Sequence, residues 1–217
     1  MLRMRTRLRI AAAGSFLAAI GFLPIPFGYL LSGPGRGFET LFVASVLGVC
    51  LLLIAGALVA QALGFRSLPD GRPVSGAVTV AATADALALG VLGVVLLADR
   101  HPCAGGLYCS GQVVGALGRA AIYLWFPVLG IGYLVVGGLV LAERSIRKSS
   151  WFAAAATLIL VDGVVLLAFL ASIYNRGFSL AASLLFLLGL ALGPAANAVF
   201  GCAFQASARA AAVLPQR

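Results

Sequence analysis

Six long apolar segments joined by short loops constrain the fold of this chain more than any other feature of its sequence. Each segment is long enough to cross the hydrocarbon core of a bilayer as an α-helix, which takes about 20 residues. The segments are continuously apolar, which argues against the alternating pattern of a transmembrane β-barrel. With 62% hydrophobic and only 10% charged residues, the chain also has too few polar side chains to cover a soluble domain.

The sequence therefore predicts an all-α membrane protein, folded as a compact bundle of six transmembrane helices. Its predicted parts are a basic cytoplasmic N-terminus (1–9), the six-helix transmembrane domain (10–207) and a short cytoplasmic tail (208–217). Pro24 and Pro26 predict a kinked or broken outer half of the first span. The predicted spans cover residues 10–31, 38–65, 74–98, 119–141, 151–174 and 178–204.

The distribution of basic residues predicts how the chain is threaded. The net charge is +9, and eleven of the fifteen Lys and Arg residues fall in the N-terminus, the second and fourth loops and the tail. Because cytoplasmic loops carry an excess of Lys and Arg, both termini are predicted to be cytoplasmic in a multi-pass protein of the plasma membrane. The same distribution explains the charge without a nucleic-acid partner. The abundance of Ala, Gly and Arg with little Lys is typical of a bacterium with a GC-rich genome.

Two acids inside the apolar segments are the main functional signal. Asp85 lies in the third predicted span and Asp162 in the fifth, at similar depth near the middle of the bilayer. A charged group in hydrocarbon is costly, so such residues mark ion and substrate pathways or have a polar partner. No Lys, Arg or His lies at the same depth to neutralise them, which favours a protonated acid or a bound cation over an ion pair.

A stripe of small and amide side chains in the sixth span supplies the third candidate. Gly189, Gly193, Asn197, Gly201 and Gln205 recur at four-residue steps and so share one helical face. Such a stripe is typical of close helix packing, and it could also line a polar path. Asn197 is therefore predicted, with the two aspartates, as a substrate- or ion-binding residue. The alternative is that the acids are structural and are satisfied by Thr83, Asn197 or another polar group.

The cysteines indicate an external disulfide and no metal site. Cys103 and Cys109 share the loop between the third and fourth spans, which is predicted to face an oxidising compartment, so a disulfide between them is expected. His101 lies beside them, but three ligands at this spacing match no tight zinc pattern. Cys50 and Cys202 fall inside apolar segments and are predicted to be buried small residues.

Three functional hypotheses are compatible with this pattern. The first is a small permease-type protein that binds a proton, a cation or a small polar or amphipathic substrate at Asp85 and Asp162. The second is a membrane scaffold or accessory subunit, which would contact a partner membrane protein or another copy of itself through the glycine-rich faces of spans two and six. The third is an intramembrane enzyme that uses acid chemistry on a lipid or prenyl substrate.

The sequence lacks residue types and motifs that several enzyme classes require. The one His of the chain lies in a loop, which argues against a bis-histidine haem site and a buried Ser–His pair. The chain has no Gly-x-Ser-x-Gly sequence, no phosphate-binding loop and no histidine-rich cluster. We therefore assign no catalytic residue, no cofactor and no metal, and favour a non-enzyme that is surrounded by the lipid bilayer.

Overall fold

A computed structural model of the protein describes residues 2–23, 41–68, 72–81, 83–84, 87, 101–102, 108–109, 112–176 and 179–213. Within these ranges the chain is helical, apart from two antiparallel strands of two residues each, β1 (His101–Pro102) and β2 (Tyr108–Cys109). The helices are α1 (Leu2–Phe22), α2 (Leu41–Phe65), α3 (residues 72–81), α4 (Gln112–Ala142), α5 (Arg144–Arg147), α6 (Ser150–Arg176) and α7 (Leu180–Val213).

The predicted helical class is confirmed, whereas the six membrane crossings stay a prediction. Two helical segments in the described ranges are long and apolar enough to cross a membrane, Ser150–Asn175 and Leu180–Ala212. Two further apolar stretches, Leu52–Phe65 and Pro127–Ala142, are shorter. These two segments, within α6 and α7, are therefore the candidate membrane spans of the described ranges.

The first and last helices extend beyond the predicted spans. α1 begins at Leu2, within the basic N-terminus, because Arg, Leu and Met all favour helix and nothing there interrupts it. It ends at Phe22, shortly before Pro24, and a proline disfavours helical backbone in the residue that precedes it. α7 continues past residue 207 to Val213. Helix ends are not membrane boundaries, so the limits at residues 10 and 207 stay predictions.

The main helices pack against one another in a definite order. α1 packs between α2 and α7, α6 packs against α7, and α4 packs against α6. α3 contacts both α2 and α4. Its Ser75 hydroxyl donates a hydrogen bond of 3.2 Å to the carbonyl oxygen of Ala62 in α2, and its Ala81 methyl would lie 3.2 Å from a Cβ placed on Gly132 of α4.

Glycines allow the backbones of α4 and α6 to touch. A Cβ built on Gly163 would lie 2.7 Å from the carbonyl oxygen of Gly130, and a Cβ on Gly130 would lie 3.3 Å from the carbonyl oxygen of Gly163. Small residues permit this approach, which is the usual means of packing helices in a membrane, where there is little hydrophobic drive between them. The contact holds α6 in place one residue from Asp162.

A cluster of four buried phenylalanines joins three helices near the end of the bundle where α2 ends and α6 begins. Phe204 of α7 lies 5.0 Å from Phe65 of α2 and 5.3 Å from Phe152 of α6, measured between ring centroids, and both pairs are edge-to-face. Phe200 joins the cluster at 5.6 Å from Phe65. Edge-to-face pairs add stability beyond the apolar area that they bury, so this cluster fixes α2, α6 and α7 relative to one another.

Candidate functional site

Asp162 lies near the middle of α6 and faces α7. Only 1% of its surface is exposed. A Cβ built on Gly193 would lie 3.1 Å from its Oδ2 atom, and a Cβ built on Gly189 would lie 3.3 Å from its Oδ1 atom. Both carboxyl oxygens therefore lie against the glycine face of α7, and the missing side chains at these two positions provide the space that the carboxyl group occupies.

One oxygen of this carboxyl group has no protein partner among the described residues. Oδ1 of Asp162 is buried and accepts no hydrogen bond there. Burying a polar atom without a partner costs free energy, and most buried polar groups in folded proteins are hydrogen-bonded. A buried acid that is not stabilised by its surroundings is the feature expected of a group that binds something else.

Asn197 lies one helical turn beyond Gly193 on the same face of α7. Its side chain is buried, and its Nδ2 group donates a hydrogen bond of 2.8 Å to the carbonyl oxygen of Gly193. That glycine is the residue whose Cα faces Oδ2 of Asp162. Asp162 and Asn197, which are both predicted site residues, thus lie on neighbouring helices, and Gly193 of α7 contacts both of them.

Gln61 of α2 is a polar residue of this region that the sequence reasoning missed. It is 3% exposed, and its Nε2 group donates a hydrogen bond of 2.6 Å to Oδ1 of Asn197. A signal was present, because Gln61 is an amide inside the second apolar segment. Its partner could not be inferred without knowing that α2 and α7 meet.

Phe22 of α1 supplies an apolar side to the same region. It is buried, and two of its ring atoms would lie 4.0 Å from a Cβ on Gly193. The candidate site is therefore built from four helices: Phe22 from α1, Gln61 from α2, Asp162 from α6, and the stripe of Gly189, Gly193 and Asn197 from α7.

The second predicted acid, Asp85, lies outside the described residues, and its pairing with Asp162 stays a prediction. The preceding part of the third segment is described. Val78 is buried there and Ala81 is half-buried next to Gly132. Thr83, a suggested partner for the acids, is exposed and donates its hydroxyl to the carbonyl oxygen of Thr79 in its own helix.

The predicted disulfide also falls partly outside the described residues, because Cys103 is among those not described. Cys109 lies in β2, where its backbone pairs with that of His101 in β1. The bond between Cys103 and Cys109 stays a prediction. Cys202 is a free, half-buried cysteine on α7.

The chemistry available at Asp162 is that of oxygen ligands. The carboxyl group of Asp162 suits a proton, a hard cation or a substrate group that donates hydrogen bonds. Among the described residues no group of three or more His, Cys, Asp or Glu could hold a metal ion.

Comparison of the chain with protein-family models, with curated proteins and with solved structures finds no match.

Proposed function

We propose that the chain is a multi-pass permease-type protein of the plasma membrane, and that Asp162 is its central binding group for a proton, a cation or a polar group of a substrate. The observation that carries this proposal is the buried Oδ1 atom of Asp162, which has no protein partner in the described ranges. An acid inside the membrane-spanning part of a protein is costly and is usually retained for function.

The residues that surround Asp162 support a role in binding an ion or substrate rather than a structural role in linking two helices. Asp162 is opposed by glycines, which offer no side-chain donor, instead of by a basic or hydroxyl residue. A structural acid would be expected to accept hydrogen bonds from its neighbours. The nearby amides instead donate to other acceptors. Gln61 donates to Asn197, and Asn197 donates to the backbone carbonyl oxygen of Gly193.

The outer surface of the bundle supports the membrane setting. A helix on the surface of a soluble protein carries polar residues on its outward face. Here large apolar side chains are exposed on each of the six main helices, among them Ile20, Leu52, Val80, Ile131, Val164 and Leu180. These side chains suit contact with lipid tails.

The proposal is tested by ion flux in reconstituted vesicles. The purified full chain is incorporated into liposomes that contain a proton-sensitive or a sodium-sensitive dye, and flux is driven by an imposed potential. We expect flux of one of the two ions in the wild type and its loss in Asp162→Asn, which keeps the shape of the side chain and removes its charge. Thr157→Val is the matched control on α6, because Thr157 is exposed and its hydroxyl donates a hydrogen bond to the carbonyl oxygen of Ala153 in the same helix.

Two results would contradict the proposal. Equal flux in the wild type and in Asp162→Asn would show that the carboxyl group takes no part in transport. The absence of both fluxes in the wild type, with the protein folded in the vesicle, would remove ion movement as the activity of this site.

A further inference from the structure

A pocket opens between the first turns of α1 and the last turns of α7, at the end of the bundle that is predicted to face the cytoplasm. Its volume is about 480 Å³, which is within the range of small-ligand sites, roughly 300–1,000 Å³. The pocket is far along both helices from Gly193, so it is distinct from the region around Asp162. Its lining combines a basic rim with an apolar floor.

Three arginines form the rim. Arg5 and Arg9 come from α1 and Arg209 comes from α7, and all three are exposed. Within the described residues none of them is paired with an acid, since Glu143 caps α5 and Asp162 is buried in the bundle. Arg5 and Arg9 are one turn apart on the same helix, where like charges repel each other. An anion between them would relieve this repulsion.

The floor of the pocket is apolar. It is formed by Ala12, Ala13 and Phe16 of α1 and by Ala208 of α7, and the exposed Gln205 of α7 adds one polar side chain to the lining. Ala12 and Ala208 are buried, whereas Ala13 is exposed, so the floor is open to the surroundings on one side. The ring of Phe16 packs against Gly201 of α7, where a Cβ built on the glycine would lie 2.8–3.0 Å from the ring. A ligand that fits this pocket has an anionic head and an apolar continuation.

We propose that this pocket binds an anionic phospholipid of the cytoplasmic leaflet. The phosphate group lies between Arg5, Arg9 and Arg209, and the first part of an acyl chain lies against Ala13 and Phe16. Basic pockets between helices on the cytoplasmic side are suited to anionic lipid headgroups, and arginine binds phosphate through a planar fork of donors. The apolar floor favours a lipid over a free anion. The inference rests on the predicted threading and does not depend on the role of Asp162.

The test measures lipid binding by the full chain purified in detergent. Phosphatidylglycerol or phosphatidylcholine is added, and the number of lipids retained by each protein is read by native mass spectrometry. We expect the wild type to retain phosphatidylglycerol in preference to phosphatidylcholine. The variant Arg5→Gln/Arg9→Gln is expected to bind phosphatidylglycerol at least about tenfold more weakly, since each of the two arginines loses a charge-assisted hydrogen bond to the phosphate.

A matched variant separates this pocket from general surface charge. Arg3→Gln/Arg7→Gln removes the same two charges from the same helix, but neither residue lines the pocket. It is expected to keep the affinity of the wild type within about threefold in a detergent without net charge, because neither side chain lines the pocket and salt screens exposed charges at a distance. Equal weakening in the two double variants would overturn the proposal, because it would show diffuse attraction. Displacement of phosphatidylglycerol by inorganic phosphate alone would also overturn it, because the site would then take a soluble anion.

A second pair of variants tests the floor without changing charge. Ala13→Trp fills the pocket, whereas Leu17→Trp places the same side chain on an exposed position one turn further along α1. We expect lipid retention to fall only in the first. Unchanged retention in Ala13→Trp would show that the apolar floor is not occupied, and would overturn the acyl-chain part of the proposal. Gel filtration confirms that each variant is folded.

Discussion

The side-chain amide of Gln61 donates a hydrogen bond of 2.6 Å to the side-chain oxygen of Asn197, which joins α2 to α7 across 136 residues of sequence. Asn197 in turn donates to the carbonyl oxygen of Gly193, and the Cα of that glycine faces the carboxyl group of Asp162. Two amides are thus fixed by each other close to an acid that they leave unsatisfied. Gln61 and Asn197 have hydrogen-bonded side chains and are therefore structural residues of this region. Asp162 has a buried oxygen without a partner in the described ranges, and it is the candidate binding residue.

Replacing Asp162 by Asn should abolish ion flux without destabilising the protein. The amide has the shape of the carboxyl group but carries no charge, and an unpaired charge is the costly form in a buried site. We expect the free energy of unfolding to stay the same or to rise by about 1 kcal/mol. Thermal unfolding in detergent, measured beside the flux assay, checks this. A loss of more than about 2 kcal/mol would identify Asp162 as a structural acid.

Adding a methyl group at Gly193 should impair binding at Asp162 more than it affects folding. The new Cβ would lie 3.1 Å from Oδ2 of Asp162 and so would compete for the space beside the carboxyl group. We expect Gly193→Ala to lower ion flux by about tenfold or more, equivalent to about 1.4 kcal/mol. Gly56→Ala is the control, because a Cβ on Gly56 meets nothing within 4 Å. Equal flux in the two variants would show that the space beside Gly193 is not used.

The contact between α4 and α6 should depend on the absence of a side chain at Gly163. A Cβ there would lie 2.7 Å from the carbonyl oxygen of Gly130, and a backbone atom cannot move aside cheaply. We expect Gly163→Ala to destabilise the protein by about 1–3 kcal/mol. Gly138→Ala in α4 meets nothing within 4 Å and should instead stabilise by up to about 1 kcal/mol, since Ala favours helix over Gly. Chemical unfolding in mixed detergent compares the two.

Removing the donor at Gln61 should leave the oxygen of Asn197 buried without that hydrogen bond. We expect Gln61→Leu to destabilise the protein by about 1–2 kcal/mol, in keeping with a buried acceptor that loses its partner. The exposed Gln205 gives a control, and Gln205→Leu should change stability by less than about 0.5 kcal/mol. A double-mutant cycle with Asn197→Leu isolates the pair. A coupling energy near zero would show that the hydrogen bond does not stabilise the fold.

The two ends of α6 should lie on opposite sides of the membrane. Lys148 precedes this helix and Asn175 lies near its end, and both side chains are exposed. In a chain whose native cysteines are replaced, Asn175→Cys should react with a membrane-impermeant maleimide in intact cells, whereas Lys148→Cys should react only after the membrane is permeabilised. Labelling of both in intact cells would contradict the predicted threading.

The sequence was sufficient to predict the helical class and to select Asp162 and Asn197 as unusual residues. Length and continuous apolar composition predict helices directly, because each helix satisfies its own backbone. The glycine stripe on α7 was also visible, since four-residue spacing places Gly189, Gly193 and Asn197 on one face. These properties are local to one segment and need no knowledge of the neighbouring helices.

The order of the helices around the bundle could not be predicted. The segments are apolar on nearly every side, so periodicity does not show which face points inward. The pairing of Gln61 with Asn197 follows only from the approach of α2 to α7, and the position of Phe22 beside Gly193 follows only from the packing of α1 on α7. The sequence contains the polar residues of the site, and the three-dimensional arrangement determines which of them meet.

The packing of α1 against α7 has a consequence for synthesis of the chain. The ribosome completes α1 first and α7 last among the described helices. The face of α1 that carries Phe16 therefore has no contact with Gly201 until α7 has been made. At roughly 5–20 residues per second this delay is about 10 to 40 s. During that time the small residues of α1 are open to contact with other helices. In the membrane setting proposed above, we therefore expect lipid or the insertion machinery to cover this face until α7 has been made.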